Sequence, residues 1–139
     1  MQPAVSVITL GVSDLDRALA FYRDGLGWPT EGIVGTEFEG GAVVFFRLTS
    51  GSMLALWPQQ ELARDAGLPP PQPGPPVFSL GHNVRSKAEV DRILAQAEQA
   101  GATITAPAHD QVWGGYSGYF RDPDGHLWEI VWNPQLLPD

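Results

Sequence analysis

The side chains best suited to chemistry in this sequence are one carboxylate in an apolar segment and three scattered histidines. Glu129 lies within the apolar run 127–132, where an enclosed carboxylate must be paired, hydrogen-bonded or protonated. Structural donors could satisfy it, or it could serve a ligand pocket as the partner of a cation or as a base. His109 has no partner at metal-ligand spacing, and His82 and His126 are predicted to face away from the ligand positions, because each lies three residues from one and only a bulge would reverse its side. We interpret all three as surface or hydrogen-bonded structural residues.

Composition excludes several other kinds of site. The 139 residues carry 16 Asp and Glu against 8 Lys and Arg, a net charge of −8, and Lys87 is the only lysine. Nucleic acid is therefore not the expected partner, because phosphate binding needs clustered cations. With no cysteine, thiolate metal sites, disulfides and thiol nucleophiles are absent.

The sequence also bears on location. No apolar run approaches the roughly 20 residues of a membrane span, so no membrane partner is expected. The first residues, MQPAVSV, lack the basic region of a secretory signal. We expect a cytoplasmic protein, an expectation with which the absence of cysteine is compatible.

The chain has the pattern of two similar halves joined by a proline-rich connector. Residues 69–76 hold six prolines, which excludes a helix or a central strand there. Each half is predicted to contain a strand, a helix and three further strands, with modules at about 4–66 and 77–134. At this length we expect the two βαβββ modules to form a single domain of α+β class.

Two constant offsets support the repeat. A capping signal at Ser13/Asp14, and another at Ser86 with Glu89, precede helices whose apolar positions match at an offset of 72 residues. A hairpin recurs at an offset of 74, and the second turn, residues 122–125, has the sequence Asp-Pro-Asp-Gly of a tight reversal. The extra strand of each half is predicted at about 30–37 and 103–110.

The same segments carry a family resemblance. The motif FYRDGLGW at 21–28 and the motif YFRDPDGHLWE at 119–129 resemble the two signatures of the vicinal oxygen chelate superfamily, which includes glyoxalase I, bleomycin-resistance proteins and extradiol dioxygenases. The resemblance covers roughly residues 4–134. It implies two tandem βαβββ modules that form a curled mixed sheet around a cavity, usually in a homodimer. It leaves the function open because the fold supports several activities.

The resemblance also implies where a metal would bind. Metal-dependent members place one ligand on the first strand and one on the last strand of each half. The corresponding positions here are Val7, Ala55, Ser79 and Glu129, of which only Glu129 is a good ligand. We therefore expect no cofactor, with a divalent metal as the alternative.

Strand alternation predicts what surrounds Glu129. The inferred pocket is mostly apolar with a few polar atoms, as small-molecule sites are. The glycine-rich segment 112–119 adds aromatic side chains that could contact a ligand or could only pack the sheet. The candidate ligand-binding residues are Met53, Trp57, Ser79, Asn83, Trp113, Tyr116, Tyr119 and Glu129, with Glu129 the one catalytic candidate.

Three functions fit these observations. The first is a metal-free protein of bleomycin-resistance type that binds a small, partly aromatic molecule; the acidic run Asp24, Glu31, Glu37 and Glu39 makes a cationic molecule one option. The second is a glyoxalase-type lyase or isomerase whose altered metal-ligand set includes Glu129. The third, an interaction module with a filled cavity, ranks last because no partner-binding helix or tail is evident.

Overall fold

A computed structural model describes residues 1–135 of the chain. These residues divide into two compact units, one spanning Met1–Gly74 and the other beginning at Pro75. The boundary falls inside the proline-rich connector, whose residues form neither helix nor strand. No helix of the described part is long and apolar enough to cross a bilayer.

The first unit follows the predicted βαβββ order and then adds a helix. Its elements are β1 Val7–Val12, α1 Leu15–Leu19, β2 Ile33–Val34, β3 Val43–Arg47, β4 Met53–Pro58 and α2 Gln59–Ala66. Asp14 caps α1 by accepting a bond from the Arg17 backbone N–H at 3.0 Å. A π-helical turn over Ala20–Gly25 continues α1.

The second unit repeats the order with better-formed elements. They are β5 Ser79–Val84, α3 Lys87–Ala100, β6 Thr103–Asp110, β7 Tyr116–Arg121 and β8 Leu127–Trp132. Ser86 caps α3 by accepting from the Glu89 N–H at 3.1 Å, and Gly101 ends the helix in the left-handed conformation. The capping box is not reciprocal, because the Glu89 carboxylate pairs with Arg92 at 3.0 Å.

The two sheets have the same topology and the same register. Each has four strands, in the orders β1-β4-β3-β2 and β5-β8-β7-β6, with its first and last strands parallel. Val7 lies opposite Met53 as Ser79 lies opposite Leu127. The predicted α+β class and doubled βαβββ order are confirmed; over the described residues the strands form two mixed sheets, neither closed into a barrel.

Two details differ from the sequence predictions. The strand predicted at 30–37 comprises only Ile33–Val34. Gly32 and Gly35, with φ of 84° and 79°, interrupt the extended backbone on both sides of it. Helix α2 was not predicted; it ends at Gly67 in the left-handed conformation.

Each core lies between one sheet face and its helices. In the first unit Tyr22 is fully buried and its ring packs against Phe21, Trp28 and Phe46 at centroid distances of 4.9–5.9 Å. In the second unit Trp128 and Ile130 of β8 are buried, and the Trp128 ring stacks on Phe120 with centroids 6.2 Å apart. The opposite face of each sheet therefore holds the side chains that are left for a ligand.

Candidate functional site

Glu129 occupies the centre of the second sheet. In β8 it lies opposite Gly81 of the parallel strand β5 and opposite Tyr119 of the antiparallel strand β7. Its side chain is half-buried and points to the face that α3 does not cover. We call this surface the Glu129 face and define it by the alternate residues Ser79, Gly81, Tyr119, Leu127 and Glu129.

Tyr119 is the side chain most closely linked to Glu129. Burial raises the pKa of the Tyr119 phenol, and the charge of Glu129 together with a side-chain hydrogen bond to it raises that pKa further. The phenol therefore keeps its proton near neutral pH and can donate to the carboxylate. Tyr119 is thus the polar cross-strand neighbour of Glu129.

A cavity of about 420 Å³ is lined by Tyr119 and not by Glu129 itself. Tyr119, Ser79 and Leu127 contribute to its wall, and the remaining lining residues are Pro76, Val77, Phe78 and Thr105. Val77 and Phe78 are strongly exposed apolar side chains. The cavity thus combines an apolar wall with three hydroxyl groups, and its volume is in the range of small-ligand sites.

The other candidates of the second unit lie elsewhere. Asn83 is exposed on β5, opposite Val131, and shares the parity of the Glu129 face. Trp113 lies in the loop 111–115, half exposed, with its ring against Gly115. The structure does not bring Trp113 into the strand face that carries Glu129.

Tyr116 lies on the opposite face of the sheet from Glu129. Its hydroxyl donates to Asp91 of α3 at 2.7 Å, and the Lys87 ammonium is 5.5 Å from its ring centroid. The hydrogen bond to Asp91 is the largest cause of a raised Tyr116 pKa. Parity explains the placement, because three residues along a strand reverse the face and Tyr119 already points the other way.

Met53 and Trp57 belong to the first unit. Each lines a cavity there: Met53 one of about 490 Å³ and Trp57 one of about 260 Å³. The Trp57 indole N–H donates to the Gly40 carbonyl oxygen at 2.9 Å, which orients the ring. Both cavities include Phe45, which the sequence reasoning did not select.

Phe45 and its neighbours are the functional candidates that were missed. Phe45 and Arg47 alternate with the buried Val44 and Phe46, so they share the face of Ala55. We call this surface the Ala55 face, defined by Thr9, Phe45, Arg47, Met53 and Ala55. The signal in the sequence that identifies this face is the period-two alternation of β3.

The three histidines stay apart from Glu129. His82 faces α3, where burial lowers its pKa and the charge of Glu89 partly opposes that shift. His109 lies at the exposed end of β6 with Nδ1 3.1 Å from the Pro107 carbonyl oxygen. His126 lies in the β7–β8 turn and donates its backbone N–H to Asp122.

The residues at the family's metal positions do not fit the usual metal site. Val7 and Ala55 have hydrocarbon side chains without donor atoms, and Ser79 offers only a neutral hydroxyl. In residues 1–135 no three His, Cys, Asp or Glu side chains come together as a metal-binding group. Within these described residues Glu129 therefore belongs to no such group.

Comparison with known proteins establishes the family. Residues 4–130 match the model of the glyoxalase/bleomycin resistance protein/dioxygenase superfamily, and the chain belongs to that superfamily.

Three similar proteins illustrate the range of this superfamily. The uncharacterized protein PA2024 of Pseudomonas aeruginosa is 29% identical over 99% of this chain and 94% of its own. A glyoxalase-related enzyme from Fulvimarina pelagi is 37% identical, with a TM-score of 0.82 over 95% of this chain and 89% of its own. A lactoylglutathione lyase from Agrobacterium tumefaciens is 32% identical, with a TM-score of 0.67 over 96% of both chains.

Proposed function

We propose that this protein binds a small, partly aromatic molecule on the Glu129 face without a catalytic metal. The observation that carries the proposal is the cross-strand pair of Tyr119 and Glu129, in which Tyr119 also lines a cavity of about 420 Å³ with apolar and hydroxyl side chains. The phenol and the carboxylate provide a donor and an acceptor, and Leu127 and Phe78 provide apolar contact area. A cationic group on the ligand would be bound by the Glu129 carboxylate.

The lack of ligand atoms at Val7 and Ala55 supports a direct role for Glu129. The resemblance implies that Glu129 occupies a metal-ligand position of the superfamily, whereas Ala55, its repeat equivalent, has no donor atom. A carboxylate with Tyr119 as its polar neighbour is free to accept bonds from a ligand. The expected absence of a cofactor remains part of the proposal.

The test uses benzyltrimethylammonium as a cationic aromatic probe and benzyl alcohol as its neutral counterpart. Protein dialysed exhaustively against chelator should bind the cation with unchanged affinity after Ni²⁺, Zn²⁺ or Mn²⁺ is added back. Glu129→Gln should weaken binding of the cation about tenfold, since a charge-assisted contact is lost, and should leave benzyl alcohol unaffected. Glu98→Gln, an exposed change on α3, is the matched control. Binding that appears only with added metal would refute the metal-free proposal.

The second candidate function is metal-dependent lyase or isomerase chemistry. The similarity to a glyoxalase-related enzyme and to a lactoylglutathione lyase at 37% and 32% identity favours it. A divalent metal, when bound, would polarise a substrate carbonyl. Glu129 would be its main protein ligand, and the other three family positions would have to be replaced by water or by substrate.

Elemental analysis of the purified protein separates the two candidates. Stoichiometric Ni, Zn, Mn or Fe that is absent from the Glu129→Gln protein would support the metal-dependent lyase or isomerase. The same protein should then be assayed with the hemithioacetal of methylglyoxal and glutathione. Glutathione is anionic and neither Arg nor Lys lines the cavity beside Tyr119, so we expect no turnover of that substrate.

A further inference from the structure

The cavity of about 490 Å³ in the first unit has two opposite charges on an otherwise largely apolar wall. Glu31 and Arg47 supply the charges, and the other lining residues are Pro29, Thr30, Gly32, Val34, Phe45 and Met53. We infer that this cavity binds a small zwitterionic molecule with an apolar body, of the α-amino acid type. Its carboxylate would bind Arg47 and its ammonium group would bind Glu31.

Neither charge is neutralised by the protein. Among the residues that the structure describes, Arg47 and Glu31 form no ion pair with each other or with any other side chain. Other charges nearby do form pairs, as Arg23 does with Asp24 at 2.8 Å. Two unpaired opposite charges on one cavity wall complement a ligand that carries both, since each group of the ligand meets its opposite.

The backbone holds the two charges in place. Thr30 donates its hydroxyl to the Phe45 carbonyl oxygen at 2.6 Å and accepts a bond from the Gly32 N–H at 3.2 Å. These bonds attach the segment that carries Glu31 to the strand that carries Arg47. Arg47 itself lies opposite Met53 in the β3–β4 pair. The fold therefore links the backbone next to Glu31 to the strand that carries Arg47.

The apolar part of the wall matches the body of such a ligand. Phe45 is 39% exposed on the Ala55 face, and Met53 lies beside it with a flexible thioether. Val34 and Pro29 add hydrocarbon surface. An aromatic ring is a suitable occupant, because aromatic pairs and sulfur–aromatic contacts are favourable.

The chemistry of Arg47 selects the anionic end of the ligand. A guanidinium presents a planar array of donors that binds a carboxylate through two parallel hydrogen bonds. Glu31 has no donor when ionised and so selects an ammonium group. This inference does not depend on the Glu129 proposal, because it concerns different residues in the other unit.

The experiment compares three probes that share one hydrocarbon body. L-phenylalanine carries both charges, 3-phenylpropionate only the anion, and phenethylamine only the cation. Binding to the full chain is measured by isothermal titration and by chemical-shift changes at Thr30 and Phe45. We expect the zwitterion to bind about tenfold more tightly than either singly charged probe.

The variants give a distinctive pattern. Arg47→Gln should weaken the binding of L-phenylalanine and 3-phenylpropionate about tenfold and leave the binding of phenethylamine at this cavity unchanged. Glu31→Gln should weaken the binding of L-phenylalanine and phenethylamine about tenfold and leave that of 3-phenylpropionate unchanged. Arg47→Lys should show an intermediate loss, because it keeps the charge and loses the planar array. Arg85→Gln and Glu98→Gln, exposed changes in the other unit, should change nothing.

Specific outcomes would overturn the inference. Equal affinity for the three probes would do so, as would an Arg47→Gln protein that binds L-phenylalanine like the unmodified chain. An equal loss in Arg85→Gln would show that only overall charge matters. Glu129→Gln separates the two proposals. If it weakens benzyltrimethylammonium binding about tenfold while L-phenylalanine binding still depends on Arg47, both proposals hold, and either dependence can fail without the other.

Discussion

Tyr119 and Glu129 are direct cross-strand partners in the antiparallel β7–β8 pair, and both side chains lie on the sheet face that α3 leaves uncovered. The equivalent pair in the first sheet is Phe45 with Ala55, at an offset of 74 residues. The same backbone position thus carries a phenol and a carboxylate in one unit and an aromatic ring and a methyl group in the other. The two sheets share a topology and differ in chemistry.

The Tyr119 titration tests that relationship. Glu129→Gln should lower the pKa of Tyr119, because the negative charge that disfavours tyrosinate is removed, and burial should still hold the pKa above its ordinary value of 10. Ultraviolet absorbance of tyrosinate measures it, with Tyr119→Phe subtracted to isolate this residue. An unchanged titration in Glu129→Gln would mean that the two groups do not interact.

The same shift predicts how stability depends on pH. The pKa of Tyr119 in the folded protein lies above its unfolded value of about 10. The contribution of its protonated phenol to the free energy of unfolding is therefore complete below pH 10 and is lost as the pH rises through the folded pKa. Tyr119→Phe should lack this part of the loss of stability at alkaline pH. Urea denaturation at a series of alkaline pH values measures the difference.

Neighbouring residues of β3 give a matched test of the first core. Phe46 is 1% exposed and packs against Tyr22, whereas Phe45 is 39% exposed on the other face. Phe46→Ala should lower the free energy of unfolding by about 3–5 kcal/mol. Phe45→Ala should cost about 1 kcal/mol or less and should instead weaken L-phenylalanine binding. Equal costs would contradict the assigned faces.

Two glycines of the second sheet give a test of backbone approach. A Cβ on Gly118 would lie 2.7 Å from a Leu94 methyl group and 2.9 Å from the Ala108 backbone nitrogen. Gly118→Ala should therefore destabilise the protein by about 1–3 kcal/mol, because β6 or α3 must move. Gly81 has open space around its Cβ position, so Gly81→Ala should be tolerated. Thermal unfolding of the two variants makes the comparison.

The cap of α3 offers a test of local helix stability. Ser86→Ala removes the acceptor of the Glu89 N–H and should lower the free energy of unfolding by about 1 kcal/mol. Ser86→Asp keeps an acceptor at the same position and should restore most of it. If the alanine and aspartate variants unfold alike in urea, the side-chain cap does not contribute.

Much of the architecture follows from local signals. Asp14 and Ser86 begin their helices because short polar side chains cap free N–H groups, and Gly101 ends α3 because it alone reaches the left-handed conformation without cost. The turns at 48–52 and 122–126 place Gly51 and Gly125 at φ of 95° and 90°. These caps and turns depend on a few adjacent residues, so the local sequence alone predicts them.

The composition of the sites depends on pairings between distant residues. The sequence by itself determined the repeated βαβββ order, the family resemblance and the lack of donors at Val7 and Ala55. Only the tertiary structure decided that Tyr119 faces Glu129 while Tyr116 bonds to Asp91, and that Glu31 shares a cavity with Arg47. The physical reason is strand register: a shift of one residue reverses every side chain on a strand, and register is set by contacts across the sheet.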